Sequence, residues 1–300
     1  MSLVRWSVSW VCVLILSVSL SVSARTVILD ADTANEVDDP YALVKAFSVP
    51  DWDIVAINAA QWQVSQWSTT NTMEQSHRIN QEIAAYLELP SSIKVLRGGH
   101  RRIYDWGGDR AIYSSATHNL VQMAEQAAEG ETITVIVLGA LTNVASALLI
   151  NPAIESKLDI YWLGSSFNAD TERLKFLDFN PLMDPQAVDI LLNSQARLHI
   201  LPVSSLGKYV AEFTKAKQHF SGKGELGDYL IRRWREHRDG GKYQRILWDV
   251  ALIQAVQYPE HFSKRKITSY SNRNLWVYDS VKNEFLLRDL YSSIEMRLTQ

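Results

Sequence analysis

The sequence predicts an α/β fold, a doubly wound, mostly parallel sheet flanked by helices, within a single domain. Three observations carry this. Short, β-rich apolar runs recur along the chain. They lack the polar alternation of a half-exposed sheet, and helical patterns fill the intervals between them. No composition break, Pro/Gly/Ser-rich linker or internal repeat divides the chain beyond residue 24.

The first run is Val27-Ile28-Leu29, followed by Ile54-Val55-Ala56-Ile57, Lys94-Val95-Leu96 and Ile133 to Leu138. Leu158 to Leu163 and Arg197 to Val203 complete the series. Helical patterns between them cover Pro40 to Phe47, Met73 to Leu87, Ser115 to Ala128, Asn143 to Leu149 and Asp184 to Leu192. After Val203 the pattern turns helical, over 204–220, 226–238 and 249–257. A hairpin-like stretch then pairs Trp276-Val277-Tyr278 with Phe285-Leu286-Leu287 around Asn283. In doubly wound sheets ligands sit outside the carboxyl ends of the strands, so the residues that follow each strand are the ones to weigh.

The N-terminus has its own chemistry. Arg5, the apolar stretch Val11 to Leu16 and the small residues ending in Val22-Ser23-Ala24 match the regions of a cleavable signal peptide. A membrane anchor is the alternative, but the core is interrupted by Ser17, Ser19 and Ser21 and is short for a spanning helix. The expected organisation is therefore a signal peptide over 1–24 and one domain over 25–300, in a secreted or periplasmic protein with no stable membrane insertion after cleavage. The single cysteine, Cys12, lies in the leader. The remaining 276 residues hold no disulfide, thiolate ligand or cysteine nucleophile.

Charge excludes another class. The chain has 30 Lys+Arg against 33 Asp+Glu, a net charge of −3, and no like-charge run longer than Lys264-Arg265-Lys266. That cluster reads as a solvated strand edge. Nucleic-acid modules carry a basic excess or stripe, so no nucleic-acid partner is expected.

The densest chemistry follows the first strand. Asp30-Ala31-Asp32-Thr33-Ala34-Asn35-Glu36-Val37-Asp38-Asp39-Pro40 places five acids and an Asn within ten residues. Asp39-Pro40 reads as a helix N-cap followed by Pro at the first helical position. Capping does not account for the other acids, which repel one another unless a cation or protons neutralise them. Oxygen ligands without His or Cys point to a hard ion, Ca²⁺ or Mg²⁺.

Two families begin in a similar way. The haloacid-dehalogenase-type phosphatases use Asp-x-Asp-x-Thr/Val, which Asp30-Ala31-Asp32 fits and Ala34 does not; that reading also leaves Asp38 and Asp39 idle. The loop more closely resembles that of the nucleoside hydrolases, in a branch with an Asn-Glu-x-Asp-Asp metal loop. Leu138-Gly139-Ala140-Leu141-Thr142-Asn143-Val144-Ala145 is similar to that family's Gly-Pro-Leu-Thr-Asn-Ile-Ala segment. Asp178-Phe179-Asn180 with Asp184-Pro185-Gln186-Ala187 resembles its Glu-Phe-Asn and Asp-Pro-Glu-Ala elements, and Trp248-Asp249 stands where the family has His-Asp.

The resemblance implies a calcium-dependent hydrolase of N-glycosidic bonds in ribonucleosides or related ribosides. Its metal ligands would be Asp32, Asp39, Asp249 and the Leu138 carbonyl, with Asp32 also the base that activates water. Asp38, Asn168, Asp178, Asn180 and Trp248 would bind substrate. A homo-oligomer is also implied. Many family members use the histidine now replaced by Trp248 to protonate or orient the leaving base, and an indole has no proton to give at that pKa. His77 and His118 are conceivable substitutes, though both sit in helical patterns. Trp62, Trp67 and Trp106 follow strands and would form either a stacking wall or a docking surface. Loss of the histidine also favours, as an alternative, a protein that binds sugar or nucleoside without turnover. The longer acidic loop and Asp178, shortened from the family's Glu, reshape the sugar pocket and leave a hydrolase of another glycosyl substrate as a further alternative.

Overall fold

The computed structural model describes residues 24–207, 209–281 and 283–299, so the expected signal peptide and Cys12 lie outside the described residues. The chain opens with β1 (Arg25–Ala31), α1 (Asp38–Ala46), β2 (Trp52–Ala59), α2 (Thr72–Tyr86) and β3 (Lys94–Leu96). Next come α3 (Ile103–Trp106), α4 (Ser115–Gln126), β4 (Ile133–Val137), α5 (Thr142–Ile150) and β5 (Leu158–Leu163). A ribbon of β6 (Ser166–Asn168) and β7 (Arg173–Lys175) precedes α6 (Phe179–Met183), α7 (Pro185–Asn193) and β8 (Arg197–Leu201). The last third holds β9 (Val210–Glu212), α8 (Phe213–Phe220), α9 (Gly224–Arg235), β10 (Gln244–Ile246) and α10 (Trp248–Gln257). It closes with β11 (Phe262–Ile267), β12 (Leu275–Val281) and α11 (Asn283–Leu298).

Eight strands form the main sheet in the order β11-β12-β8-β5-β4-β1-β2-β3, parallel throughout except for the edge strand β11. Connections run outward to β2 and β3 on one side of β1 and to β5 and β8 on the other, so the order reverses between β1 and β4. That reversal opens a crevice at the carboxyl ends of the two strands. Successive residues of β1 serve opposite faces. Val27 and Leu29 join a core with α1, α9 and α10, while Ile28 joins one with α4, α5 and α7. All three side chains are fully buried, which is why the first strand shows no polar alternation.

The structure differs from the sequence reading at the C-terminal end. Phe285-Leu286-Leu287 belong to α11, and β12 pairs instead with β11 in antiparallel register, Lys266 opposite Trp276. Lys264-Arg265-Lys266 do form a sheet edge, where charge discourages further pairing. Segment 204–220 is not one helix, because β9 interrupts it and pairs with β10.

Candidate active site

Two helices aim their first turns at the crevice. Asp38 and Asp39 are the first residues of α1, and Asp249 is the second of α10. The unpaired N–H groups of a helix start favour carboxylates in that turn. The cap of α1 is Val37, two residues before the position expected from Asp39-Pro40, so Asp39 is free for another task. Asp38 Oδ2 accepts the backbone N–H of Asp249 at 3.1 Å, which ties the two helix starts together across 211 residues of sequence. One oxygen each of Asp38, Asp39 and Asp249 lies within 4.8 Å of the others.

These three residues line a cavity of about 180 Å³ together with Asp32, Leu138, Asp178, Asn180 and Trp248. Eight of the nine residues expected at the site therefore converge. Asn168 does not line the cavity. The β6–β7 ribbon carries it away, and its Oδ1 accepts the N–H groups of Asp170 and Thr171 in a turn. Asp32 lines the cavity but stands outside the tight Asp38–Asp39–Asp249 group. Asn35, Glu36, Leu163, Phe179 and Val203 also line the cavity, and sequence reasoning assigned none of them a role. For Asn35 and Glu36 the signal was present, since they fill the lengthened acidic loop.

The supports are specific. Asn180 is buried on α6, and its Nδ2 donates to the carbonyls of Leu138 at 2.5 Å and Leu163 at 2.9 Å, which leaves its Oδ1 as an acceptor. Burial raises the Asp178 carboxyl above its ordinary value, opposed by the nearby backbone N–H groups of Phe179 and Ser165. Ser165 has φ 70°, an uncommon conformation for a residue with a side chain, two residues after β5. Asp184 caps α7 and also accepts from Thr142 Oγ1 at 2.7 Å and from the N–H of Ile103 at 2.9 Å. Asn143 bridges Asp30, at 2.9 Å, and the Ala59 carbonyl. Thr142 and Asn143 of the Leu-Thr-Asn motif therefore fasten loops to the sheet.

Crowded, buried carboxylates should resist ionisation, and these do. Burial, with the like charges of Asp38, Glu36 and Asp30, pushes the Asp32 carboxyl up to about 8. Burial and the charges of Asp32 and Asp38 hold Asp39 well above the ordinary carboxylate value. Burial and its three aspartate neighbours do the same to Asp249. Asp32 Oδ2, Asp39 Oδ1 and Asp249 Oδ1 are buried with no hydrogen-bond partner among the described residues. Unpaired buried anionic oxygens are costly, and a hard divalent cation is the group this donor set fits.

The other candidates lie elsewhere. His77 is buried on α2 and His118 sits exposed on α4, and neither lines the cavity. Trp62 is fully buried against Ala140 and Met183, with Trp67 and Phe179 packed on that cluster. Trp106 is 46% exposed on α3. None of the three tryptophans lines the cavity.

A family model described as inosine-uridine preferring nucleoside hydrolase matches residues 27–281. The chain belongs to this family. Its members are metal-dependent N-glycosyl hydrolases. The chain is 26% identical to "Probable uridine nucleosidase 1" of Oryza sativa subsp. japonica over 259 residues, 78% of each protein. In fold it is similar to the purine-preferring ribonucleoside hydrolase from Gardnerella vaginalis, with a TM-score of 0.71 at 19% identity over 92% of this chain and 99% of that one. It is equally similar to the type III effector protein XopQ, solved in complex with adenosine diphosphate ribose: TM-score 0.71 at 12% identity, covering 92% and 94% of the two chains. At such identities these two likenesses speak for the fold alone.

Proposed function

We propose that this family member hydrolyses the N-glycosidic bond of ribonucleosides or related ribosides and needs calcium to do so. The observation that carries the reading is the convergence of Asp38, Asp39 and Asp249, from helix starts far apart in sequence, in one cavity with the hydroxyl-binding groups of Asp178 and Asn180. Asp39, Asp249, the Leu138 carbonyl and one of Asp32 or Asp38 would hold the ion. Six to eight oxygens suit calcium better than magnesium, which prefers a tighter octahedron with several waters. When bound, the cation supplies the positive charge that keeps these carboxylates ionised and makes nearby water more acidic.

The chain's own residues do the rest. Cleavage builds positive charge at the anomeric carbon as the C–N bond stretches, and a hydroxide-like oxygen must arrive. Asp32 accepts the proton of the attacking water. Asp178 and Asn180 Oδ1 accept hydrogen bonds from sugar hydroxyls and fix the ring, and Asp38 keeps one oxygen for the same purpose. Trp248 covers the side where the family's histidine would meet the leaving base.

The leader-like segment supports export to a periplasm or the medium, and N-terminal sequencing of the exported protein should begin at Arg25. Release of free base and ribose from inosine or uridine, and of p-nitrophenol and ribose from p-nitrophenyl riboside, abolished by chelator and restored by Ca²⁺, tests the reading. Saturable binding without product would favour the second reading, a nucleoside-binding protein, for which the loss of the histidine at position 248 speaks.

A further inference from the structure

The aspartate cavity holds one buried acceptor to which neither the ion nor the sugar has yet been matched. Asn35 lines the cavity and is only 4% exposed. Its Oδ1 is shut away from solvent and has no hydrogen-bond partner among the described residues. Of the other residues lining this cavity, only Asp32, Asp39 and Asp249 carry a side-chain oxygen in the same state. All three stand among the ligands assigned to the ion, whereas Asp178 and Asn180, assigned to the sugar, contribute no such oxygen. A buried amide oxygen left unmet destabilises a fold, and a ligand that meets it removes that cost.

The loop that carries Asn35 is pinned through its neighbours and its backbone. The Asn35 N–H donates to the Asp32 carbonyl at 2.8 Å, closing a tight turn. Its carbonyl accepts from His237 Nε2 at 3.0 Å, just beyond α9, and the Thr33 carbonyl accepts from Arg233 Nη2 of α9 at 3.2 Å. Thr33 Oγ1 lies 2.8 Å from Asn80 Oδ1 of α2. Two helices therefore hold the lengthened acidic loop in place, and none of these contacts uses the Asn35 carboxamide.

Building on the calcium-dependent reading, we propose that Asn35 is a further ligand of the ion, through Oδ1, and that the lengthened loop thereby adds a coordinating position to the site. Calcium takes six to eight oxygens and accepts Asn side-chain carbonyls alongside carboxylates. Asp39, Asp249, the Leu138 carbonyl and one of Asp32 or Asp38 leave that shell incomplete. A neutral oxygen extends it without adding to the repulsion among the aspartates.

Calorimetric titration of Ca²⁺ into the chelator-stripped wild type, Asn35→Leu and Asn35→Asp tests this without turnover. Leu keeps the bulk of Asn and removes the oxygen, whereas Asp keeps an oxygen. We expect Ca²⁺ affinity on the order of tenfold lower in Asn35→Leu, with Asn35→Asp binding clearly more tightly than Asn35→Leu. Thermal melts in chelator separate ligation from a structural role. Removing an unmet polar group costs the ion-free fold nothing, so Asn35→Leu should melt at or above the wild-type temperature while the rise in Tm on adding Ca²⁺ shrinks. Asn35→Leu binding Ca²⁺ as the wild type does, with Asp249→Ala impaired, overturns this inference and leaves the calcium reading intact. Weaker uridine binding at unchanged Ca²⁺ affinity does the same and gives the oxygen to the sugar. Equal loss in the two Asn35 variants, or a lower Tm for Asn35→Leu in chelator, also overturns it. No saturable Ca²⁺ binding to the wild type overturns both.

Discussion

The Cα of Gly139, just beyond β4, faces the carboxylate of Asp32 so closely that a Cβ built there would lie 2.6 Å from Asp32 Oδ1 and 2.9 Å from its Cγ. Asp32 therefore reaches the cavity only because residue 139 has no side chain. Gly139→Ala should push the carboxylate from its place and lower kcat by about 100-fold, the scale of a 1 Å misplacement. Steady-state kinetics beside a thermal melt checks this. A variant that melts like the wild type and retains full kcat would show that Asp32 is not held by this contact.

The roles of Asp32 and Asp249 should separate. Asp32→Asn should cut kcat by about 10²- to 10⁴-fold, the span of a lost general base, while the ion still binds. Asp249→Ala should weaken ion binding first. Single-turnover kinetics with a parallel calcium titration distinguishes them, and wild-type turnover in Asp32→Asn would remove it as the base.

Acidity gives a third expectation. Without the ion, Asp32 titrates near 8 and Asp30 and Glu36 near 7, all lifted chiefly by burial from the usual range of about 4. A folded-state pKa above the unfolded one means stability that is whole below about pH 4 and is lost as pH climbs through 7 to 8. In chelator, Tm should fall from pH 5 to pH 8. Because the ion competes with those protons, the rise in Tm produced by calcium should grow over the same range. A chelated protein whose Tm rises with pH would contradict this.

Behind the site, Lys45 of α1 is fully buried and pairs with Asp289 of α11 at 2.9 Å. Tyr258 and Gln254 also donate to that carboxylate. Asp289→Ala leaves an unpaired buried ammonium and should cost about 3–5 kcal/mol in urea unfolding. The double variant Lys45→Met/Asp289→Leu should recover most of it. A loss in Asp289→Ala below about 1 kcal/mol would show that the pair is solvated.

Much of this was legible in the residues. Strands buried on both faces, such as β1 and β4, announce themselves as unbroken apolar runs, and Asp32 and Asp39 stand out because crowded acids after a strand need a partner, whereas Asp249 was visible only through the family resemblance. What the sequence hid depends on tertiary pairing. Phe285 to Leu287 look like a strand, yet packing against α1 and α10 makes them helix. Asn168 follows a strand as a ligand should, but its own turn takes its oxygen. Ser165 gives no sign in sequence of its left-handed backbone beside the site.

Calorimetric titration of Ca²⁺ into the chelator-stripped protein, alongside Asp39→Ala and Asp249→Ala, tests the convergence of these acids most directly. The account predicts one ion bound per chain in the wild type, with affinity lowered at least tenfold in each variant, a loss of about 1.4 kcal/mol. No saturable binding to the wild type, or unchanged binding in both variants, would contradict it.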